Sequence, residues 1–312
     1  MRFKYIIISG VVGIGVIGIS IRFAIPGRCS KIALTSTTPG FIKNIDPVCD
    51  SIIANFSNNI EAGLGLDVST NQIFWEQNSE KPCFIASITK LMTALIVMEK
   101  IYANEISLKD TITATPEASK VGGSRIHIKK GEKFTLEELL KAMIIYSAND
   151  ASYLTAQYIA GSEGKFVQMM NEKAQNMGFY HTYFSNATGL PPPRKGGEHN
   201  ISTCVDIAKL ALEVIKYPEI RELAATRVDY LRNGAFKLIT RNRLLRRYNL
   251  VDGLKTGYYR EAGWNIVATS FNGTHKVMVI VLGAKSKKAR EFIVKRLIKY
   301  ITAKSPNTIQ HS

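Results

Sequence analysis

Three short elements of this sequence carry residue types capable of covalent chemistry. Ser87-Ile88-Thr89-Lys90 opens an apolar stretch that continues LMTALIVM. Residues i and i+3 share a helix face, so a helix beginning here brings the Lys90 amine to the Ser87 hydroxyl. A serine is weakly nucleophilic until a neighbour takes its proton. Lysine is such a neighbour when burial and a nearby cation lower its pKa. Lys255-Thr256-Gly257 offers that cation. Ser147-Ala148-Asn149 offers a hydroxyl to relay a proton and an amide to orient Lys90 and a substrate. Singly these patterns are noise: SxxK recurs at Ser162–Lys165, and SxN at Ser57, Ser69, Ser270 and Ser305. Their order and setting carry the information.

Other chemistries lack their residues. The five histidines fall in no HExxH or comparable metal-ligand spacing, the four cysteines form no CxxC pair, and a GxSxG elbow is absent. A zinc enzyme and a Ser-His-Asp hydrolase are therefore unsupported, and neither a metal nor a cofactor is expected.

The elements that must hold these residues can be read from pattern. Residues 62–67 and 72–77 alternate as two short strands around Ser69-Thr70-Asn71. A helix over 87–101 is apolar nearly all round and must be buried. Thr135 and Glu138 make a capping box before LLKAMII. Further helices are expected over 152–160, from Ser162 to Gly178, and over 203–216 before Pro218. Residues 264–271 and 276–283 flank Asn272-Gly273, a hairpin signal. A final helix over 287–301 puts Ala289, Phe292, Ile293 and Leu297 on one face, read as covering a sheet rather than lying on a membrane. Strands at both ends with helices between predict an α+β fold. One antiparallel sheet is built from both chain ends, flanked by helices, with an inserted helical subdomain.

Composition is that of a globular protein, 46% hydrophobic and 21% charged in 312 residues, which excludes disordered, collagenous and coiled-coil classes. The net charge of +16 favours anionic partners. The N-terminus chooses among them. Arg2 and Lys4 precede an uncharged run over 5–21 that Arg22 closes, a signal anchor or signal peptide. Residues 1–28 are accordingly read as a membrane-attaching segment, and 29–58, with TSTTPG and NFSNN, as a linker. Residues 59–301 form the catalytic domain and 302–312 a tail. Export argues against nucleic acid and for anionic lipid or a wall polymer. The Arg241, Arg243, Arg246 and Arg247 cluster is read as solvated surface, Cys83 and Cys204 as buried thiols, and Cys29 and Cys49 as a possible disulfide.

The wider context carries a resemblance. ASITKLMTAL, VGGSRIHIKKGEKFTLEELL, IYSANDAS, NATGLP, NISTCVDIAKLA and DGLKTGYYREAGWNIVATS are similar to segments of the D-alanyl-D-alanine carboxypeptidases, the low-molecular-mass penicillin-binding proteins of the S11 serine peptidase family. The resemblance implies a β-lactamase/transpeptidase-like fold. It implies that Ser87 is acylated by a peptidoglycan stem peptide ending in D-Ala-D-Ala, with Lys90 as general base and Ser147 and Asn149 completing the proton network. Lys255 and Thr256 bind the terminal carboxylate, the strand at Gly257 pairs with the peptide, and the N–H groups of Ser87 and Tyr258 form the oxyanion hole. Arg290 stands where the family often places a carboxylate-binding arginine. β-Lactams are implied as covalent inhibitors. Because the ExxLN element of class A β-lactamases is missing between Ser147 and Lys255, slow release of acyl-penicillin is expected. The β-rich second domain and C-terminal amphipathic helix of many members are not expected after this domain. Membrane attachment at the extracytoplasmic face is then expected of the N-terminal segment. The rival readings are a DD-endopeptidase using the same residues and a non-catalytic wall-binding module.

Overall fold

The computed structural model describes residues 40–271 and 276–304. In chain order the first elements are β1 (Ile42–Lys43), α1 (Pro47–Ser57), β2 (Ala62–Asp67), β3 (Gln72–Gln77) and β4 (Cys83–Phe84). A 3₁₀ turn (Ala86–Thr89) leads into α2 (Lys90–Tyr102). Next come β5 (Thr111–Thr113), α3 (Pro116–Lys120), β6 (Lys133–Thr135), α4 (Leu136–Lys141), a π turn (Ala142–Tyr146), α5 (Asn149–Ala160) and α6 (Glu163–Asn176). The chain continues through β7 (Ile201–Ser202), α7 (Cys204–Val214), α8 (Pro218–Ala225), β8 (Val228–Leu231), β9 (Phe236–Ile239) and α9 (Arg243–Arg247). It closes with β10 (Gly253–Tyr259), β11 (Gly263–Ser270), β12 (Val277–Ala284) and α10 (Lys287–Thr302).

The main sheet has the order β1-β3-β2-β12-β11-β10, so β2 from the front of the chain lies beside β12 from its back. That antiparallel pair runs from Ala62 opposite Leu282 to Asp67 opposite Val277. β12 is apolar on both faces because both are covered. Met278, Ile280 and Leu282 enter the core shared with α2, while Val277, Val279 and Val281 enter the core under α1 and α10. Period-2 alternation sends successive side chains to opposite faces, which is how one strand serves two cores. β10 is an edge strand whose other flank faces the 3₁₀ turn that carries Ser87, rather than a further strand.

The middle helices gather on the α2 side. α2 is buried from Lys90 to Met98, as its all-round apolarity requires. α4 starts with the anticipated capping box: Thr135 Oγ1 accepts from the Glu138 N–H while Glu138 accepts from the Thr135 N–H. Thr135→Ala is expected to destabilise the protein by about 1 kcal/mol, measurable by urea denaturation, with little effect on the residues beyond the π turn.

Two sequence expectations are corrected. The described part of the expected linker, 40–58, is not one. α1 is capped by Asp46, carries Pro47 in its first turn, and buries Cys49 and Ile53. Phe56 lies 4.5 Å from Phe292 of α10, and Trp75 Nε1 donates to Asp50. A helix of one buried stripe docked by a few contacts leaves too short a period to see in sequence. The helix expected from Ser87 begins instead at Lys90, preceded by the 3₁₀ turn. Of the remaining expectations, the apolar face of α10 does cover the sheet. Residues 5–21, Cys29 and the Asn272-Gly273 turn lie outside the described residues, and among the described residues no helix is long and apolar enough to cross a membrane.

Candidate active site

Three independent pieces of chain converge at the free edge of β10. Ser87 sits in the 3₁₀ turn, which opens on Ala86 at φ +48°, a conformation that costs a residue with a Cβ about 1 kcal/mol or more. The turn places Lys90 one helical step on, with Nζ 3.0 Å from Ser87 Oγ. Lys90 is 0% exposed. Its amine also donates to Asn149 Oδ1 at 2.7 Å and to the Thr188 carbonyl. Burial, and then the charge of Lys255, hold its pKa well below the ordinary lysine value. A neutral amine has two N–H bonds and one lone pair. In that form the two carbonyl acceptors would match the N–H bonds and leave the lone pair for the Ser87 hydroxyl.

Ser147 ends the π turn in the left-handed region, at φ +65°. That bend turns its hydroxyl toward β10, where Lys255 Nζ donates to it at 2.7 Å and to its neighbour's carbonyl, Thr256 O, at 3.1 Å. Lys255 is likewise buried, and burial, assisted by Arg241, lowers its pKa to about 7. Asn149 is held by its other amide atom, Nδ2 donating to Gly122 O at 2.9 Å, so its Oδ1 is committed to Lys90. Just beyond it, Asp150 accepts from the Ile126 and Ile128 N–H groups and fixes the chain that flanks the cleft.

Gly257 lies so close to the 3₁₀ turn that a Cβ there would stand 2.8 Å from Ile85 O and 3.0 Å from Ser87 N. Only glycine lets the strand approach this near the turn that carries Ser87. Tyr258 is half exposed and stacks on Trp264 at 3.8 Å. A cavity of about 420 Å³ opens beside it, lined by Phe84, Tyr258, Arg260 and Trp264 among others. An edge strand with free backbone groups can receive an extended peptide as an added strand.

Thus the structure brings together Ser87, Lys90, Ser147, Asn149, Lys255, Thr256, Gly257 and Tyr258. Among the described residues Arg290 makes no hydrogen bond to any of these. Arg290 is in the first turn of α10, 3% exposed, with NH1 donating to Asn265 O at 3.3 Å and NH2 facing Glu291 at 3.4 Å. Asn265 belongs to β11 and pairs with Gly257, so Arg290 bonds the strand next to β10. A spacing along the chain gives no such information, because α10 folds back over the far face of the sheet.

Sequence reading missed the residues that act through backbone atoms. Thr188 contributes a carbonyl, and Asn186 shapes its loop by accepting from the Thr188 and Gly189 N–H groups. Asn200 ties that loop to Thr89 beside Ser87. Only the NATGLP segment, and the first residue of NISTCVDIAKLA for Asn200, hinted at them. Arg241 is exposed, as expected of solvated surface, and in addition donates to Tyr146 O and Ser124 Oγ, lies 4.2 Å over the Tyr146 ring, and acts on Lys255 through its charge. Among the described residues no group of three His, Cys, Asp or Glu side chains could hold a metal ion.

Comparison with known proteins agrees with this arrangement. Residues 57–286 match the family model Peptidase_S11, D-alanyl-D-alanine carboxypeptidase. The D-alanyl-D-alanine carboxypeptidase DacF of Bacillus subtilis is 34% identical over 250 residues, 79% of this chain and 63% of that protein. The D-alanyl-D-alanine endopeptidase of Haemophilus influenzae is 31% identical over 224 residues, 70% of this chain and 72% of that protein. The crystal structure of penicillin-binding protein D2 from Listeria monocytogenes in its ampicillin-bound form superposes with a TM-score of 0.70 at 29% identity, covering 79% of this chain and 98% of that one. The chain spans about three fifths of the length of the carboxypeptidase relatives it matches. With its S11 match over most of its length, a penicillin-binding-protein fold, and the SxxK, SxN and KTG elements gathered on one edge strand, the chain belongs to the S11 peptidase family of D-alanyl-D-alanine carboxypeptidases.

Proposed function

We propose that the chain is a serine DD-carboxypeptidase that removes the terminal D-alanine of peptidoglycan stem peptides, working at the extracytoplasmic face of a membrane to which residues 5–21 attach it. The observation that carries this reading is the buried Lys90 amine 3.0 Å from Ser87 Oγ. In the mechanism the neutral amine takes the Ser87 proton as Oγ attacks the carbonyl of the penultimate D-alanine. The N–H groups of Ser87 and Tyr258 receive the oxyanion. Lys90 then returns its proton, by way of Ser147, to the departing D-alanine amine. A water molecule, deprotonated by the same amine, cleaves the Ser87 ester and restores the hydroxyl. Lys255 and Thr256 hold the terminal carboxylate of the substrate until it departs with the released D-alanine. A β-lactam follows the same first step, but its leaving nitrogen stays tethered and the ester persists.

The pH dependence follows from the two amines. Lys90 works in its neutral form, which a lowered pKa extends to lower pH, so kcat/KM rises with pH through that depressed value. Lys255 works as the ammonium, the form present below about pH 7, so kcat/KM falls as pH passes that value. Lys255→Arg keeps its charge. It is expected to remove the falling limb while lowering the plateau, and a falling limb left in place would reassign it to another group.

Labelling with a fluorescent penicillin followed by peptide mapping tests the reading directly. The adduct is expected on Ser87, and an adduct elsewhere refutes the mechanism. Release of D-alanine from a pentapeptide, set against cleavage of a cross-linked dimer, separates carboxypeptidase from endopeptidase. Acylation with neither product leaves a wall-binding module.

A further inference from the structure

We infer that the groove between α9 and α10 binds a linear phosphodiester polyanion, a chain of polyol units joined by phosphates. The groove has a volume of about 510 Å³, and its walls carry Arg243 and Arg247 from α9 and Lys287, Lys288 and Lys295 from α10. Among the described residues none of the five forms an ion pair with a carboxylate. The one acid lining the groove, Glu291, faces the buried guanidinium of Arg290. Lys295 lies 5.2 Å over the Tyr248 ring, which with Phe292 supplies an apolar floor. Five like charges so gathered repel one another, and the repulsion is relieved by an anion threaded between them.

The placement of two of these cations adds to the case. Lys287 and Lys288 occupy the first turn of a sixteen-residue helix with no acid there. The helix dipole disfavours cations at that end and favours anions. The cationic line then continues along the exposed side of α10 through Lys288, Lys295 and Lys299, a length of about 16 Å at 1.5 Å per residue. A line of that length inside a concavity suits a chain with regularly spaced charges. A membrane plane suits it less, because Ile293, Val294, Leu297 and Ile298 are all turned into the core and leave α10 without exposed aliphatic side chains to insert. The inference does not depend on the peptidase reaction.

The test is equilibrium binding of poly(glycerol phosphate) to the full chain in neutral detergent micelles, at about 50 and about 200 mM salt, because counterion release makes such binding salt-dependent. The expected result is binding that weakens with salt and is at least about tenfold weaker in the Arg247→Glu, Lys288→Glu, Lys295→Glu triple variant, with unchanged melting and unchanged penicillin labelling. A second triple variant, Lys109→Glu, Lys130→Glu, Lys133→Glu, makes the same charge change at exposed positions elsewhere and is expected to bind as the parent does. Equal weakening in both triples means that net charge alone attracts the polymer, and overturns the proposal. So does absence of binding, or an undiminished affinity in the first triple. If phosphatidylglycerol doped into the micelles displaces the polymer at equal phosphate, the groove takes lipid headgroups and the proposal falls.

Discussion

Exchanging Lys90 for methionine is expected to slow acylation by penicillin about a thousandfold, the range of a lost general base, while Ser87→Ala abolishes labelling altogether. The reasoning separates chemistry from folding. Methionine matches the length and buried apolar stem of lysine, so α2 keeps its packing. What disappears is the lone pair beside Ser87 Oγ. Two acceptors, Asn149 Oδ1 and Thr188 O, also lose their donor. Unpaired buried acceptors cost about 1–3 kcal/mol each, offset in part because a buried amine no longer has to be desolvated. Stability therefore changes by a few kcal/mol at most while the rate collapses. The rising limb of the pH profile should vanish with the amine. Rapid labelling in Lys90→Met, measured as a second-order rate constant on protein shown to be folded by its melting transition, would assign the base to another group.

Gly189→Ala carries the second large effect, and here the argument is steric. Gly189 has φ +78°, and a Cβ built on it would lie 2.1 Å from Ala86 O and 2.8 Å from Ser87 N. Both are backbone atoms of the nucleophile's own turn, so no side chain can swing aside. Either the turn retreats or the 186–190 loop does. The loop carries the Thr188 carbonyl that holds Lys90, and the turn carries Ser87, whose N–H is the proposed oxyanion donor. Displacing one such donor costs about 10²–10³ in rate, and the left-handed conformation costs the alanine a further 1–2 kcal/mol or so of stability. The expected outcome is acylation slowed at least about a hundredfold together with a lowered melting temperature. A variant acylated at the parent rate would mean that the loop moves independently of the site. The same crowding at Gly257 explains why two glycines, one on each side of Ser87, frame the nucleophile.

Both predictions concern contacts between segments far apart in the chain, which marks the division between what was legible and what was not. The Ser87–Lys90 pair is local. Two residues three apart in one turn meet whatever the rest of the fold does, so the Ser87–Lys90 contact was legible in sequence, while their proposed roles came with the order of the other segments. The strands at 62–67 and 72–77 and the cap at Thr135 were legible for the same reason, since period and capping chemistry act over a few residues. α1 was not, because its burial comes from α10 and β3, contributed from elsewhere in the chain.

Residue type and spacing thus determined the chemistry: a serine, an amine one turn away, a second amine and a relay hydroxyl, together with the α+β order of strands and helices. Tertiary structure alone decided their state and their company. It buried Lys90 and Lys255 together and so lowered both their pKa values. It supplied the Thr188 carbonyl to Lys90, placed the exposed Arg241 near enough to Lys255 to lower its pKa, and tied Arg290 to the carbonyl of Asn265 on the strand beside β10. The physical reason is that desolvation and charge–charge coupling depend on distance and depth in the folded chain, and neither is written in the spacing of residues along it.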